Sequence, residues 1–304
     1  MAEVSGCEPS NEPGACAPSN GMHLWYRDEG QRDGEPMLLI MGLSSQLIAW
    51  PDEFVAALGD LGYRVIRFDN RDCGLSLKID APDGLLDPAP YKLADMADDA
   101  AGLLDHLGIE RAHVVGASMG GMIAQYLAIN HNQKVRSLCS IMSTTGALGV
   151  GGWTDEAFAA VTSRPPDAER DTVIEHITWV YRVIGSRSLG KEEEASRRKL
   201  ATASYDRKFW PKGGNLQVKA IAAPFQNRTA QLEALVGDRW VPTLVVHGAE
   251  DSLINISGGK ATHEAVVDSQ YLPIETMGHD LPKRHLKAIV AAIHANAKRP
   301  VPIP

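Results

Sequence analysis

The run His113-Val114-Val115-Gly116-Ala117-Ser118-Met119-Gly120-Gly121-Met122-Ile123 decides how the rest of the chain is read. It begins as an apolar strand, His113–Gly116, and from Gly121 to Ile129 it has the makings of an apolar helix. Between the two lies Gly116-Ala117-Ser118-Met119-Gly120, a glycine–x–serine–x–glycine pattern. In a strand–turn–helix setting such a serine sits at the apex of a turn so tight that a β-carbon on either side would collide, with its oxygen exposed above the sheet. The first amides of the following helix point to the same spot, where negative charge develops during acyl transfer. The bland alternative is a glycine-rich turn that carries a serine by accident.

Working outward, short apolar runs alternate with helical patterns. Strands are expected at Met37–Met41, Arg64–Phe68, His113–Gly116, Ser137–Met142, Thr243–His247 and Gln270–Ile274. Leu93, Met96, Ala97, Ala100, Leu103, Leu104 and Leu107 form one helical face, and Leu286, Ile289, Val290 and Ile293 form another. Apolar strands alternating with helices predict an α/β fold built on a mostly parallel, doubly wound sheet covered on both sides. The alternation breaks between residues 146 and 238, where helical segments and Gly and Pro breaks replace strands. The expected organisation is a disordered tail over 1–20, a core made of 21–145 and 239–304, and a helical cap over 146–238.

A serine hydroxyl needs a base to take its proton, and the base needs an acid to orient it. In this architecture the acid and then the histidine follow later strands. The strand Thr243–His247 leads into Gly248-Ala249-Glu250-Asp251, and Gln270–Ile274 leads towards Met277-Gly278-His279. Asp251 is taken as the acid and His279 as the base, with Glu250 as the rival acid. The loop Met41-Gly42-Leu43-Ser44-Ser45 follows the first apolar strand. The backbone amides of Leu43 and Met119 are the candidate oxyanion donors. No H-E-x-x-H or comparable metal-ligand cluster occurs, so neither a metal nor another cofactor is expected.

Composition narrows the functions. Hydrophobic residues make up 44% of the 304, enough for a real core. With 38 acidic against 30 basic side chains the formal charge is −8. A chain of that balance without a basic tract is a poor partner for nucleic acid or an anionic membrane. Four scattered cysteines suggest no disulfide framework, and residues 1–20 lack the basic start and apolar stretch of a secretory signal. The expectation is a soluble cytoplasmic protein, of oligomeric state that these features leave open.

Gly42, the loop Asp69-Asn70-Arg71-Asp72-Cys73-Gly74-Leu75-Ser76, Gly116–Gly120, Asp251 and Gly278-His279 together resemble the α/β-hydrolase superfamily. Trp50-Pro51-Asp52-Glu53-Phe54 and the Arg71-Asp72 pair are most similar to bacterial esterases that act on polyketides, the aclacinomycin methylesterase and macrolide esterase branch. The resemblance implies a serine esterase or lactonase acting on a small-molecule ester through Ser118, Asp251 and His279. Within the same machinery, carbon–carbon bond hydrolysis, cofactor-free perhydrolysis and a receptor-like protein with slow single turnover are the alternatives. The 146–238 segment holds Trp153, Phe158, Trp179, Tyr181, Tyr205, Phe209, Trp210 and Phe225, eight of the chain's 18 aromatics. Part of that set must be the cap's own core. Trp153, Trp179, Tyr205, Phe209 and Trp210 are the candidate lining for a bulky, apolar, macrolide-like substrate, with antibiotic detoxification as the implied purpose.

Overall fold

The computed structural model describes residues 6–84, 87–187, 190–224 and 226–300; the aromatic Phe225 and the first five residues of the expected tail lie outside them. Its strands are β1 (Ala15–Ser19), β2 (Met22–Gly30), β3 (Glu35–Ile40), β4 (Tyr63–Phe68), β5 (Ala112–Ala117), β6 (Val135–Ile141), β7 (Thr243–Gly248) and β8 (Gln270–Ile274). They form one eight-stranded sheet in the order β1-β2-β4-β3-β5-β6-β7-β8. From β4 to β8 every neighbouring pair is parallel, while β1 and β2 run antiparallel at one edge. The six strands expected from the sequence are all present, with ends moved by one or two residues.

Two-residue periodicity sorts the strand side chains onto two faces. Leu38 and Ile40 of β3 pack with Ile66, Phe68 and Val114 on one side. That side is covered by α2 (Leu93–His106) and α3 (Met119–Asn130). Met37 and Leu39 point the other way, with Val65, Val115 and Val246, against α1 (Asp52–Asp60) and α10 (Lys283–Ala297). The α10 contacts come from Leu286, Ile289, Val290 and Ile293, all on one helical face. Burying each such side chain contributes about 1.5–3 kcal/mol.

Between β6 and β7 the described residues form helices and no strand: α4 (Asp155–Thr162), α5 (Arg170–Ile184), α6 (Lys191–Lys208), α7 (Pro211–Ala222) and α8 (Thr229–Glu233). Helix α9 (Ser257–Ala265) follows β7. The segment is not a uniform lid. Leu216 and Ala220 of α7 and Leu232 of α8 are fully buried in the core cluster that holds α2 and α3. None of the described helices is long and apolar enough to cross a membrane.

The expectation of a disordered tail over 1–20 is corrected from Gly6 onward. Residues Ala15–Ser19 are β1, paired with β2 through the turn Asn20-Gly21, in which φ is +48° and +72°. A two-residue Asn-Gly turn needs positive φ at both positions and matches the twist of a hairpin, so these two residues build the edge. Cys7, upstream of the strand, forms a disulfide with Cys16 within it, a single local bond and no framework, while Cys73 and Cys139 are free and buried. Glu12 sits between Arg27, at 3.2 Å, and Arg207 of α6, at 2.6 Å. Glu8 pairs with Lys208 at 3.0 Å. The segment is a strap fastened to α6 by charge and to the core by the disulfide and by the Glu8 amide, which donates to the Leu75 carbonyl at 2.9 Å, so hydrophobic periodicity cannot reveal it.

A disulfide of this kind persists in oxidising surroundings, whereas Cys73 and Cys139 are thiols. Denatured without reductant, the air-purified protein is expected to titrate two thiols per chain, and four after reduction. Four thiols before reduction would remove the Cys7–Cys16 bond from this description.

Candidate active site

Ser118 stands between β5 and α3 with φ +58° and ψ −123°, a conformation that costs a non-glycine residue energy and needs support from its surroundings. The glycines around it supply the room. A β-carbon on Gly116 would fall 2.1 Å from the Gly120 carbonyl oxygen, and one on Gly120 would fall 2.0 Å from that of Ile40. The Ser118 amide donates to the Ile141 carbonyl at 2.9 Å and Ser143 Oγ donates to the Ser118 carbonyl at 2.8 Å. The turn is therefore braced by β6 as well as by β3.

His279 and Asp251 arrive from the loops after β8 and β7. Asp251 Oδ2 lies 2.8 Å from His279 Nδ1, and His279 Nε2 lies 2.8 Å from Ser118 Oγ. An ionised carboxylate only accepts, so Nδ1 carries the ring proton; Nε2 is left to accept from the serine hydroxyl. The other carboxylate oxygen, Oδ1, accepts from the amides of Leu253, at 3.0 Å, and Ile254, at 2.8 Å. His247 is fully buried beside it: Nε2 donates to the Ile254 carbonyl at 2.7 Å and stands 3.5 Å from Asp251 Oδ2. Burial pushes the Asp251 carboxyl up, but the charge of His279 and the hydrogen bonds from both histidines outweigh it and bring it down to about 2.

The structure also separates the two carboxylates that the sequence leaves in competition. Glu250 turns away and accepts the Arg187 amide of the cap at 2.7 Å. His279 is gripped from the same side: its amide donates to the Ile184 carbonyl at 2.8 Å, and that of Gly278 to Ser186 Oγ at 2.9 Å. Asp280 accepts from Ser186 Oγ at 2.5 Å and from Arg197 Nη2 at 3.0 Å. Sequence reasoning missed Ser186 and Arg197, which lie 94 and 83 residues before Asp280 and carry no local motif, and with them the role of Asp280 as their partner.

The loop after β3 passes beside the serine, where a β-carbon on Gly42 would sit 3.0 Å from Ser118 Cβ and 3.4 Å from its Oγ. Among the described residues, neither the Leu43 nor the Met119 amide donates to a protein acceptor. The five aromatic candidates do not converge in the same way. Trp153 stacks on Phe158 at 5.1 Å, Trp179 packs on His176 at 5.6 Å, and Tyr205 stacks on Phe209 at 5.3 Å. All these partners belong to the cap. Trp153, Trp179 and Trp210 remain 59%, 39% and 37% exposed. Among the described residues no group of three or more His, Cys, Asp or Glu side chains is arranged to hold a metal ion.

Comparison with known proteins places this geometry. A family model described as the alpha/beta hydrolase fold matches residues 35–283. The chain is 27% identical over 296 residues to rhodomycin D methylesterase DauP of Streptomyces sp. strain C5, covering 90% of this chain and 95% of that protein. Among solved structures it is similar to the enol-lactonase of Burkholderia xenovorans LB400, with a TM-score of 0.74 and 22% identity over 94% of this chain and all of the other. It also matches the meta-cleavage product hydrolase CumD of Pseudomonas fluorescens IP01, with a TM-score of 0.69 and 20% identity over 94% of this chain and 98% of that one. At these identities the two structures speak for the fold.

The site predicts how each carboxylate responds to substitution. Asp251→Asn is expected to slow phosphonylation of Ser118 by a fluorophosphonate by about three to four orders of magnitude, because the wrong histidine tautomer is then favoured. Glu250→Gln should stay within a few-fold of wild type, and the reverse order would make Glu250 the acid. Acid adds a second check. The folded Asp251 carboxyl lies below its ordinary 3.8, so the stability it contributes is present above about pH 4 and is lost as pH falls through about 2. The stability difference between wild type and Asp251→Asn should shrink over that interval.

Proposed function

The chain belongs to the alpha/beta hydrolase fold family, and on that premise we propose that it is a carboxylic ester hydrolase, acting on esters or lactones through an acyl-enzyme on Ser118. The observation that carries the reading is the unbroken line from Asp251 through His279 to Ser118, with 2.8 Å at each step. Ser118 Oγ attacks the ester carbonyl while His279 Nε2 takes its proton. Asp251, ionised and held by two amides, orients the ring and stabilises the imidazolium. The amides of Leu43 and Met119 receive the oxyanion of the tetrahedral intermediate. His279 then returns its proton to the leaving alkoxide, and the alcohol departs. Water follows, losing a proton to the same nitrogen as it attacks the acyl-enzyme carbonyl, and the carboxylic acid is released with Ser118 restored.

The methylesterase name of the Streptomyces relative supports ester cleavage rather than the alternatives that share this machinery. For the substrate we infer a bulky, mostly apolar ester or a macrocyclic lactone of the macrolide type. The support is the partly exposed aromatic rings of the segment between β6 and β7, Trp153, Trp179 and Trp210, together with Tyr205 and Phe209, which stack on each other. Apolar rings left partly open to solvent gain by covering a large apolar molecule and gain little from acetate. Detoxification of such lactones is the role consistent with that preference.

Ser118→Ala is expected to lose about three or more orders of magnitude in kcat/KM for p-nitrophenyl esters, and a fluorophosphonate should label wild type at Ser118 alone. Retained turnover in Ser118→Ala would overturn the serine mechanism. Turnover should continue through many cycles; a single stoichiometric burst would favour a receptor-like protein. Across a panel, bulky esters and lactones should exceed p-nitrophenyl acetate in kcat/KM, with lactone opening adding the mass of one water and releasing no fragment. Acetate as the best substrate would overturn the size preference.

A further inference from the structure

Among the side chains that hold the loop carrying the Leu43 amide, three bond its backbone next to Ser118 or at its far end. Two come from the neighbouring loop after β4: Asn70 Nδ2 donates to the Met41 carbonyl at 2.9 Å, and Asp69 Oδ1 accepts from the Leu47 amide at 2.7 Å. The third comes from the cap. Gln217 of α7 is fully buried, accepts the Ser44 amide on Oε1 at 2.8 Å, and donates through Nε2 to the Arg71 carbonyl at 2.8 Å. It thus ties the residue next to Leu43 to the loop after β4.

Both ends of that tie are firm. The Arg71 guanidinium makes two hydrogen bonds of 2.6 Å to Asp99 of α2, and both side chains are buried. Helix α7 reaches the loops only because its first turn carries two glycines. A β-carbon on Gly213 would lie 1.9 Å from the Asp72 carbonyl oxygen, and one on Gly214 would lie 2.5 Å from Ser44 Oγ. That close approach brings Gln217, one turn further on, within reach of the Ser44 amide. The Ser44 backbone has φ +56°, which an L-residue keeps only when its neighbours impose it. The carbonyl of the Gly42-Leu43 peptide accepts from the Ser45 amide at 3.2 Å, so releasing the Ser44 amide would loosen the Leu43 N–H of that peptide, with the Ser45 contact as its remaining restraint.

We propose that Gln217 is a positioning residue for the oxyanion: from the cap, it fixes the Ser44 amide and through it the direction of the Leu43 N–H. The cap thereby helps to build the catalytic centre as well as to cover it. This rests on the serine-hydrolase reading above. An amide is suited to the task because it offers one acceptor and one donor to two backbone groups of opposite kind.

The test uses the whole chain, p-nitrophenyl butyrate as substrate and a trifluoromethyl ketone as a tetrahedral oxyanion mimic. Removing an oxyanion donor outright costs about 10²–10³ in kcat, so misaiming one should cost about 10–100-fold. Gln217→Leu is expected to lose that much kcat with KM little changed, and its Ki for the ketone should rise by the same factor. Gln217→Glu keeps an acceptor for Ser44 but sets a carboxylate oxygen against the Arg71 carbonyl, so it should recover only part of the loss. A purely structural role would lower the melting temperature but leave the ketone Ki and kcat near wild type, and that result overturns the proposal. If the leucine variant does not fold, Gln217→Asn decides. It is one methylene too short to span both groups, so it should show the same loss of kcat at constant KM, and wild-type kcat from it overturns the proposal. A wild-type protein that a fluorophosphonate leaves unlabelled overturns the serine reading and this one with it. A labelled wild type beside an unimpaired Gln217→Leu overturns only the role of Gln217.

Discussion

The contact between Gly120 and the end of β3 sets the site. A β-carbon there would come 2.0 Å from the Ile40 carbonyl oxygen, so only a glycine lets α3 start this close to the sheet. Two consequences follow from this approach. The serine at the apex is forced to positive φ, which lifts its oxygen above the strand ends, and the loop leaving β3 is brought alongside it at Gly42. Ser118 and the loop after β3 are then neighbours by construction. The loops after β7 and β8 meet them from the side, because parallel strands deliver their following loops to one edge of the sheet. The hydrogen-bonded line of Ser118, His279 and Asp251 is the product of that shared edge.

The insertion between β6 and β7 is bound to this edge at several points. Ile184 and Ser186 hold the backbone around His279, Arg187 occupies Glu250, and Gln217 holds Ser44. Arg207 of α6 enters the core to meet Asp69 at 2.7 Å, and it meets Glu12 of the N-terminal strap from the other side. Burying a guanidinium is costly unless its partners are in place, and removing one partner of such a pair typically costs about 3–5 kcal/mol. The cap, the strap and the loop after β4 therefore depend on one another. The part of the insertion that carries Trp153 and Trp179 is more open to solvent.

Much of this was legible in the sequence, for reasons that can be named. Buried parallel strands are mostly apolar, so β3 to β7 stand out, and Gly116–Gly120 between a strand and a helix identifies its serine by steric necessity. His279 and Asp251 follow because the architecture fixes which strand ends can reach that serine. The edge hairpin was missed although Asn20-Gly21 is the strongest short-range hairpin signal, because β2 ends in Arg27-Asp28-Glu29 and β1 carries a proline. Choosing between Glu250 and Asp251 needs the Arg187 amide, 63 residues away, which no local pattern contains. Gln217 is further still from its partner, at 173 residues, and looks like any polar residue of a helix until the loop it serves is in place.

The central claim is that Ser118 becomes covalently acylated. Mixing the slowed Asp251→Asn protein with an excess of p-nitrophenyl butyrate, quenching with acid within the first turnover and weighing the intact chain addresses it directly. The account predicts a mass increase of one butyryl group per chain, located by peptide mapping on Ser118 and lost as the free acid appears. Nitrophenol released from a chain that stays unmodified throughout, or an acyl group found on another residue, would contradict it.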